Sequence, residues 1–96
     1  MCDGQHFAPE LQALAGQQVI VDTKGPYVYI GVLDAVRRDS LCLKEADVHD
    51  TRESSTAVDR YVLDARKHGV RANRHVVYVL IKEVVSVSAL SDVVLY

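Results

Sequence analysis

Tryptophan is absent from this 96-residue chain, phenylalanine and methionine occur once each, and there are only two prolines and two cysteines. A core drawn from this composition rests on Val, Leu, Ile and five tyrosines, a β-branched-rich mixture that favours strands over helices. Cys2 and Cys42 match no metal or redox spacing, and no signal-peptide core or bilayer-spanning run occurs. These absences point to a cytoplasmic protein with reduced thiols, no membrane partner and no cofactor. Charge of one sign is also lacking, the formal total being −2, so any anion-binding surface must come from local clustering. Hydrophobic residues at 49% and charged ones at 25% exclude disorder, and the length suits a single domain over 1–96 with one modest core.

What is present is strand patterning, densest in HVVYVLIKEVVSVSAL, residues 75–90. Val76, Tyr78 and Leu80 alternate with Val77, Val79 and Ile81, so the fourth strand is apolar on both faces and needs cover on both. After Lys82-Glu83, Val85, Val87 and Ala89 alternate with Ser86 and Ser88 in a fifth strand with one face toward water. A small domain covers such strands by closing its sheet into a barrel or by pairing its edge with another chain.

Upstream, Pro9 suits a helix start, Leu11, Leu14 and Ala15 share a face, and Gly16 supplies the stop. VIVDT, residues 19–23, reads as the first strand, and Lys24-Gly25-Pro26 as a turn. The second strand, YVYIGVLDAV, carries Gly31 in its middle, which marks a sharp bend or the close approach of another backbone. Arg37-Arg38-Asp39 forms a polar turn before a third strand, SLCLKEADV, with Leu41 and Leu43 inward. HDTRESST, residues 49–56, reads as a loop. Val58, Tyr61, Val62 and Ala65 then recur at helical spacing over 56–68, with Ser55 or Thr56 to cap and Gly69 to stop, although Tyr61-Val62-Leu63 also suits the start of a strand. The terminal VVLY is too apolar to stay in water.

A short helix and five strands with a glycine bend resemble the Sm and Sm-like (LSm, Hfq-type) family, as a divergent, bacterial-type branch. PELQALAGQQVIVDT resembles the family's helix and first strand. Tyr29, Gly31 and Leu33 match the hydrophobic-x-Gly-x-Leu centre of the first Sm motif, followed by Leu41, Leu43 and Ala46, and VRANRHVVYVLIKEVVSVSAL resembles the second motif. The resemblance implies a mainly β fold, a small, strongly bent five-stranded antiparallel barrel with an N-terminal helix and an extra helix between strands three and four. It also implies a homo-oligomeric ring closed by pairing the fourth strand of one copy with the fifth of the next, and single-stranded RNA as partner.

The site residues depart from the family's pattern. Its Asp and Asn positions in the turn after the second strand fall on Arg37 and on Leu41, or on Ser40 in a turn one residue shorter. Arg71-Ala72-Asn73 keeps the Arg of the family's Arg-Gly step and replaces the Gly, with Arg74-His75 as the alternative register. In residues 65–75 Arg66, Lys67, Arg71 and Arg74 occur with His68 and His75 and no acid, which suits either phosphate neutralisation or a solvated helix end. Arg37, Arg38, Ser40, Arg71, Asn73 and Arg74 are therefore the expected RNA contacts, and the alternative is a structural or protein-interaction ring without an RNA site. Asp47, His49, Asp50 and Glu53 hold oxygen and imidazole donors, but a polar loop has the same mixture, so no metal site is expected. Cys42, between Leu41 and Leu43, reads as a buried small hydrophobe, and no phosphate loop, nucleophile elbow or carboxylate pair points to an enzyme.

Overall fold

A computed structural model describes residues 9–53 and 57–95. In chain order the elements are α1 (Pro9–Gln12), β1 (Gln18–Thr23), β2 (Tyr27–Val36), β3 (Ser40–Asp50), α2 (Val58–His68), β4 (Arg74–Leu80) and β5 (Val84–Ala89). Short 3-10 turns at Ile81–Glu83 and Leu90–Asp92 follow β4 and β5. The strands form one antiparallel sheet in the order β4-β3-β2-β1-β5.

Bulges bend this sheet. Ile30 pairs with Asp47 and Val32 with Lys44, so Gly31 alone faces Glu45 and Ala46. Glu45 takes a positive φ of 46°, which kinks β3. A Cβ on Gly31 would lie 2.8 Å from the Ala46 Cβ and 2.9 Å from its Cα, the close backbone approach that the glycine signalled. Further shifts fall between Leu33 and Ala35 of β2 and between Asp22 and Thr23 of β1.

Two apolar clusters lie on opposite faces. Val19, Val21, Leu33, Leu41, Leu43, Ala46 and Val79 fill the concave side, with Leu11 and Leu14 packed against them. Ala15 is exposed, because the chain after Gln12 tightens into successive turns instead of continuing as a helix. Gly16 ends those turns with φ 88° and donates its N–H to the Leu33 carbonyl at 2.7 Å. On the convex side Ile20, Val28 and Ile30 meet Ala65 of α2 and Leu90, joined by Val58, Tyr61, Val62, Val70 and Val93.

Segment 58–68 is thus a helix, and the strand reading of Tyr61-Val62-Leu63 falls, because Val58, Tyr61, Val62 and Ala65 bury one helical face on the sheet. Ala57 is its N-cap and makes no side-chain capping bond, while Ser55 and Thr56 lie outside the described residues. Gly69, at φ 93°, closes the other end with its N–H on the Ala65 carbonyl. His49 and Asp50 extend β3 instead of opening a loop, since they pair with Val28 and Tyr27.

The strand that is apolar on both faces is the least covered. Val76, Tyr78 and Leu80 of β4 are 45%, 60% and 48% exposed, and β4 is an edge of the sheet. Cover on both faces goes instead to β1, where Val19, Ile20 and Val21 are all buried between β2 and β5, and to β3, where Leu41, Cys42 and Leu43 are buried in succession. At the C-terminus Val93 packs on the convex cluster, whereas Val94 and Leu95 stay exposed. Cys42 is buried as a free thiol. No helix among the described residues is long and apolar enough to cross a membrane.

Candidate nucleic-acid interface

Arg37 and Arg38 stand on the β2–β3 turn, which closes with the Arg37 N–H on the Ser40 carbonyl at 2.8 Å. Both arginines are exposed, and among the described residues neither joins an ion pair. The Asp39 carbonyl accepts the Ile81 N–H at 2.9 Å, so the β2–β3 and β4–β5 connections lie side by side. Lys82 projects from the second of these, and the Glu83 carbonyl accepts the Lys24 N–H at 2.9 Å, drawing in the β1–β2 turn. This end of the barrel gathers the cations Arg37, Arg38, Lys82 and Lys24 against the acids Asp39 and Glu83. Flexible exposed cations on adjoining turns can track a phosphate chain without a fixed register.

Arg71, Asn73 and Arg74 lie elsewhere. Ser40 pairs with Leu80, whereas Ala46 pairs with Arg74, so the two groups sit at opposite ends of the β3–β4 ladder, about 20 Å apart at about 3.3 Å per residue. Asn73 is committed within the fold: its side-chain amide donates to Asp47 Oδ1 at 3.1 Å and to the Val48 carbonyl at 3.2 Å, and accepts the Val48 N–H at 3.0 Å. With its own N–H on the Ala46 carbonyl, Asn73 acts as a short extension of β4 and has no amide donor left for a base. Arg71 lines a cavity of about 460 Å³ with Asp47, Tyr61, Asp64 and His68. Arg74 donates to the Asn73 carbonyl and stays exposed.

The same network anchors α2. Tyr61 donates its hydroxyl to Asp47 Oδ2 at 2.8 Å and stacks on His49 with ring centroids 4.0 Å apart. The His49 Nε2 is enclosed beneath this stack without a hydrogen-bond partner. Burial, and then the bond to Asp47, push the Tyr61 phenol far above its ordinary value. The stabilisation tied to that proton is complete below about pH 10 and declines as pH rises beyond it. Tyr61→Phe is expected to lower stability at pH 7 by about 1 to 3 kcal/mol, because an acceptor lobe of Asp47 loses its donor, and urea denaturation with an unchanged slope measures this. Asp50 is held below the usual carboxylate range by hydrogen bonds from the Arg52 guanidinium and backbone N–H. Among the described residues no three His, Cys, Asp or Glu side chains are grouped to hold a metal ion.

No family model matches this sequence, and no curated protein matches it. Among solved structures, a heptameric archaeal Sm protein superposes over 83% of this chain and 94% of its own, with a TM-score of 0.53 and 18% sequence identity. The fold is Sm-like. Within this Sm-like barrel, Arg37, Arg38 and Ser40 form one group and Arg71 and Arg74 another. Lys82 is the residue that the sequence reading missed. Its signal was the polar Lys82-Glu83 step between two apolar runs: a connection there returns the chain to the end of the sheet where the β2–β3 turn lies.

Proposed function

We propose that the protein is a ring-forming Sm-like subunit that binds single-stranded RNA, or a similar phosphate-bearing partner, through Arg37, Arg38 and Lys82. The observation that carries this reading is the backbone bond between Asp39 and Ile81, which sets the two cation-bearing turns side by side. The open edges support the ring reading: β4 and β5 end the sheet, and β4 carries apolar side chains in water. A heptameric Sm protein of the same fold adds support. The reading is of a binding protein and not of an enzyme.

Anisotropy of labelled U-rich and A-rich RNA, titrated with nucleic-acid-free protein at low and near-physiological salt, tests this. Saturable binding that prefers RNA to matching DNA is expected. Arg37→Glu with Arg38→Glu should weaken it by about tenfold or more and flatten its salt dependence. Arg71→Glu with Arg74→Glu, at the other end of β4, should have a smaller effect. Wild-type affinity in an assembled Arg37/Arg38 double variant would remove that turn from the interface.

A second reading, a structural or protein-interaction ring, is favoured by one feature. The turn has Arg37 and Ser40 or Leu41 where the family's RNA-binding members carry Asp and Asn. Asp59, Arg60, Asp64 and Lys67 on the exposed side of α2 would then face the partner. Freshly purified protein without nucleic-acid absorbance at 260 nm, and without RNA affinity at either salt, would favour this reading.

A further inference from the structure

Two groups of apolar side chains stand in water at the two open edges of the sheet. On β4, Val77 and Val79 turn into the concave cluster, so Val76, Tyr78 and Leu80 alternate onto the convex side, where each stays exposed. At the other edge, beyond β5 and the Leu90–Asp92 turn, Val93 packs on the convex cluster, and Val94 and Leu95 follow at 64% and 45% exposure. Val94 lines a groove with Ser88 of β5 and Ile20 of β1, so this segment leaves the fold over β5 on the same convex side. Within one chain β4 and β5 do not pair, so neither edge covers the other. Scattered apolar side chains on a surface mean little, but a stripe along an open edge strand marks an interface.

We propose that Val94 and Leu95 of one copy cross onto β4 of the next and cover Val76 and Tyr78 there. This rests on the ring reading and adds to it a side-chain contact that strand pairing does not supply. Every pairing in the sheet is antiparallel. A junction of that kind between β5 and the neighbour's β4 carries the convex face from one copy to the next and sets the end of β5 beside the start of β4, at Val76. Neighbouring strands lie about 4.8 Å apart, and an extended residue advances about 3.3 Å. Val94 already stands over β5, so one further residue brings the Leu95 side chain above the adjoining strand. Charge agrees with this register: Arg74 opens β4 and Asp92 stands just ahead of the segment, both exposed, so a cation meets an anion. The occupant of the β4 stripe is therefore a second copy of this chain, whose own unseated apolar residues lie at the edge that the ring joins to it.

Light scattering of the full chain across a dilution series tests the proposal. The wild type is expected to assemble, and Val94→Ser with Leu95→Ser should raise the concentration at which the assembly dissociates by about tenfold or more, the scale of one apolar side chain returned to water. Both positions are exposed, so the chain keeps its fold, which an unchanged circular dichroism spectrum checks. In a chain carrying Cys2→Ser, Leu95→Cys combined with Val76→Cys or with Tyr78→Cys should oxidise to a ladder of linked chains on a denaturing gel, Cys42 being buried. An assembled wild type whose double serine variant dissociates at the same concentration would overturn the contact and leave the ring standing. A disulfide closed within single chains, or no disulfide from either pair, would overturn it as well, the first by seating the segment on its own β4 and the second by leaving it to a foreign partner. A wild-type monomer would end both readings.

Discussion

Gly31→Ala is expected to lower stability by about 1 to 3 kcal/mol, and Gly31→Val by more, enough to unfold a domain of ordinary margin. The added Cβ would sit 2.8 Å from a side-chain carbon of Ala46, 2.9 Å from its backbone and 3.1 Å from the Lys44 carbonyl. Relief requires β3 to move, and it cannot move freely: Leu43 and Ala46 are fully buried, and Glu45 between them already holds a positive φ. The bulge therefore lacks slack on both strands. Ala46→Gly in the same chain should recover only part of the loss, because the Cα and carbonyl contacts remain. Urea midpoints of the single and double variants measure the effect. A Gly31→Val protein as stable as the wild type would show that β2 and β3 do not approach so closely.

Glutamates at both Val76 and Tyr78 are expected to leave the protein folded and hold it as a monomer. Both positions are exposed on the edge strand β4, so neither substitution removes a buried contact within the chain. In the proposed ring the neighbour's β5 would cover this edge, and desolvating two carboxylates there costs several kcal/mol. Light scattering at micromolar concentration should give a multiple of the 10.6 kDa chain mass for the wild type and a single mass for the double variant. A wild-type monomer under those conditions would end the ring proposal, as would a double variant that assembles unchanged.

Both predictions rest on features that the sequence displays unequally. Gly31 announces its bend because a glycine amid YVYI and VLDAV is anomalous wherever the strand ends up. The exposure of β4 is not announced, since Val76 to Ile81 would read alike in a sheet centre and at an open edge. The reading there demanded cover on two sides. That cover went to β1 and β3, and β1 gains its second neighbour, β5, only by pairing with a segment more than sixty residues away.

The candidate site divides the same way. Arg37 and Arg38 are legible because a polar dipeptide between two alternating runs must be a turn. Asn73 looks like a free polar residue in a basic connector, yet its amide completes the β3 ladder at Val48, twenty-five residues away in sequence. Lys82 gains meaning only once β4 is known to run from Arg74 beside Ala46 to Leu80 beside Ser40.

The sequence by itself determined the period of each strand, the stops at Gly16 and Gly69, the amphipathic face of α2 and the kink at Gly31. These are local properties, set by φ preference and side-chain alternation within a few residues. The tertiary structure alone decided that α2 lies on the convex face, that Lys82 adjoins Arg37 and Arg38, and that Arg71 and Arg74 stand at the far end. Those outcomes depend on register and strand order, which arise from pairings between distant segments and leave no mark at any one position.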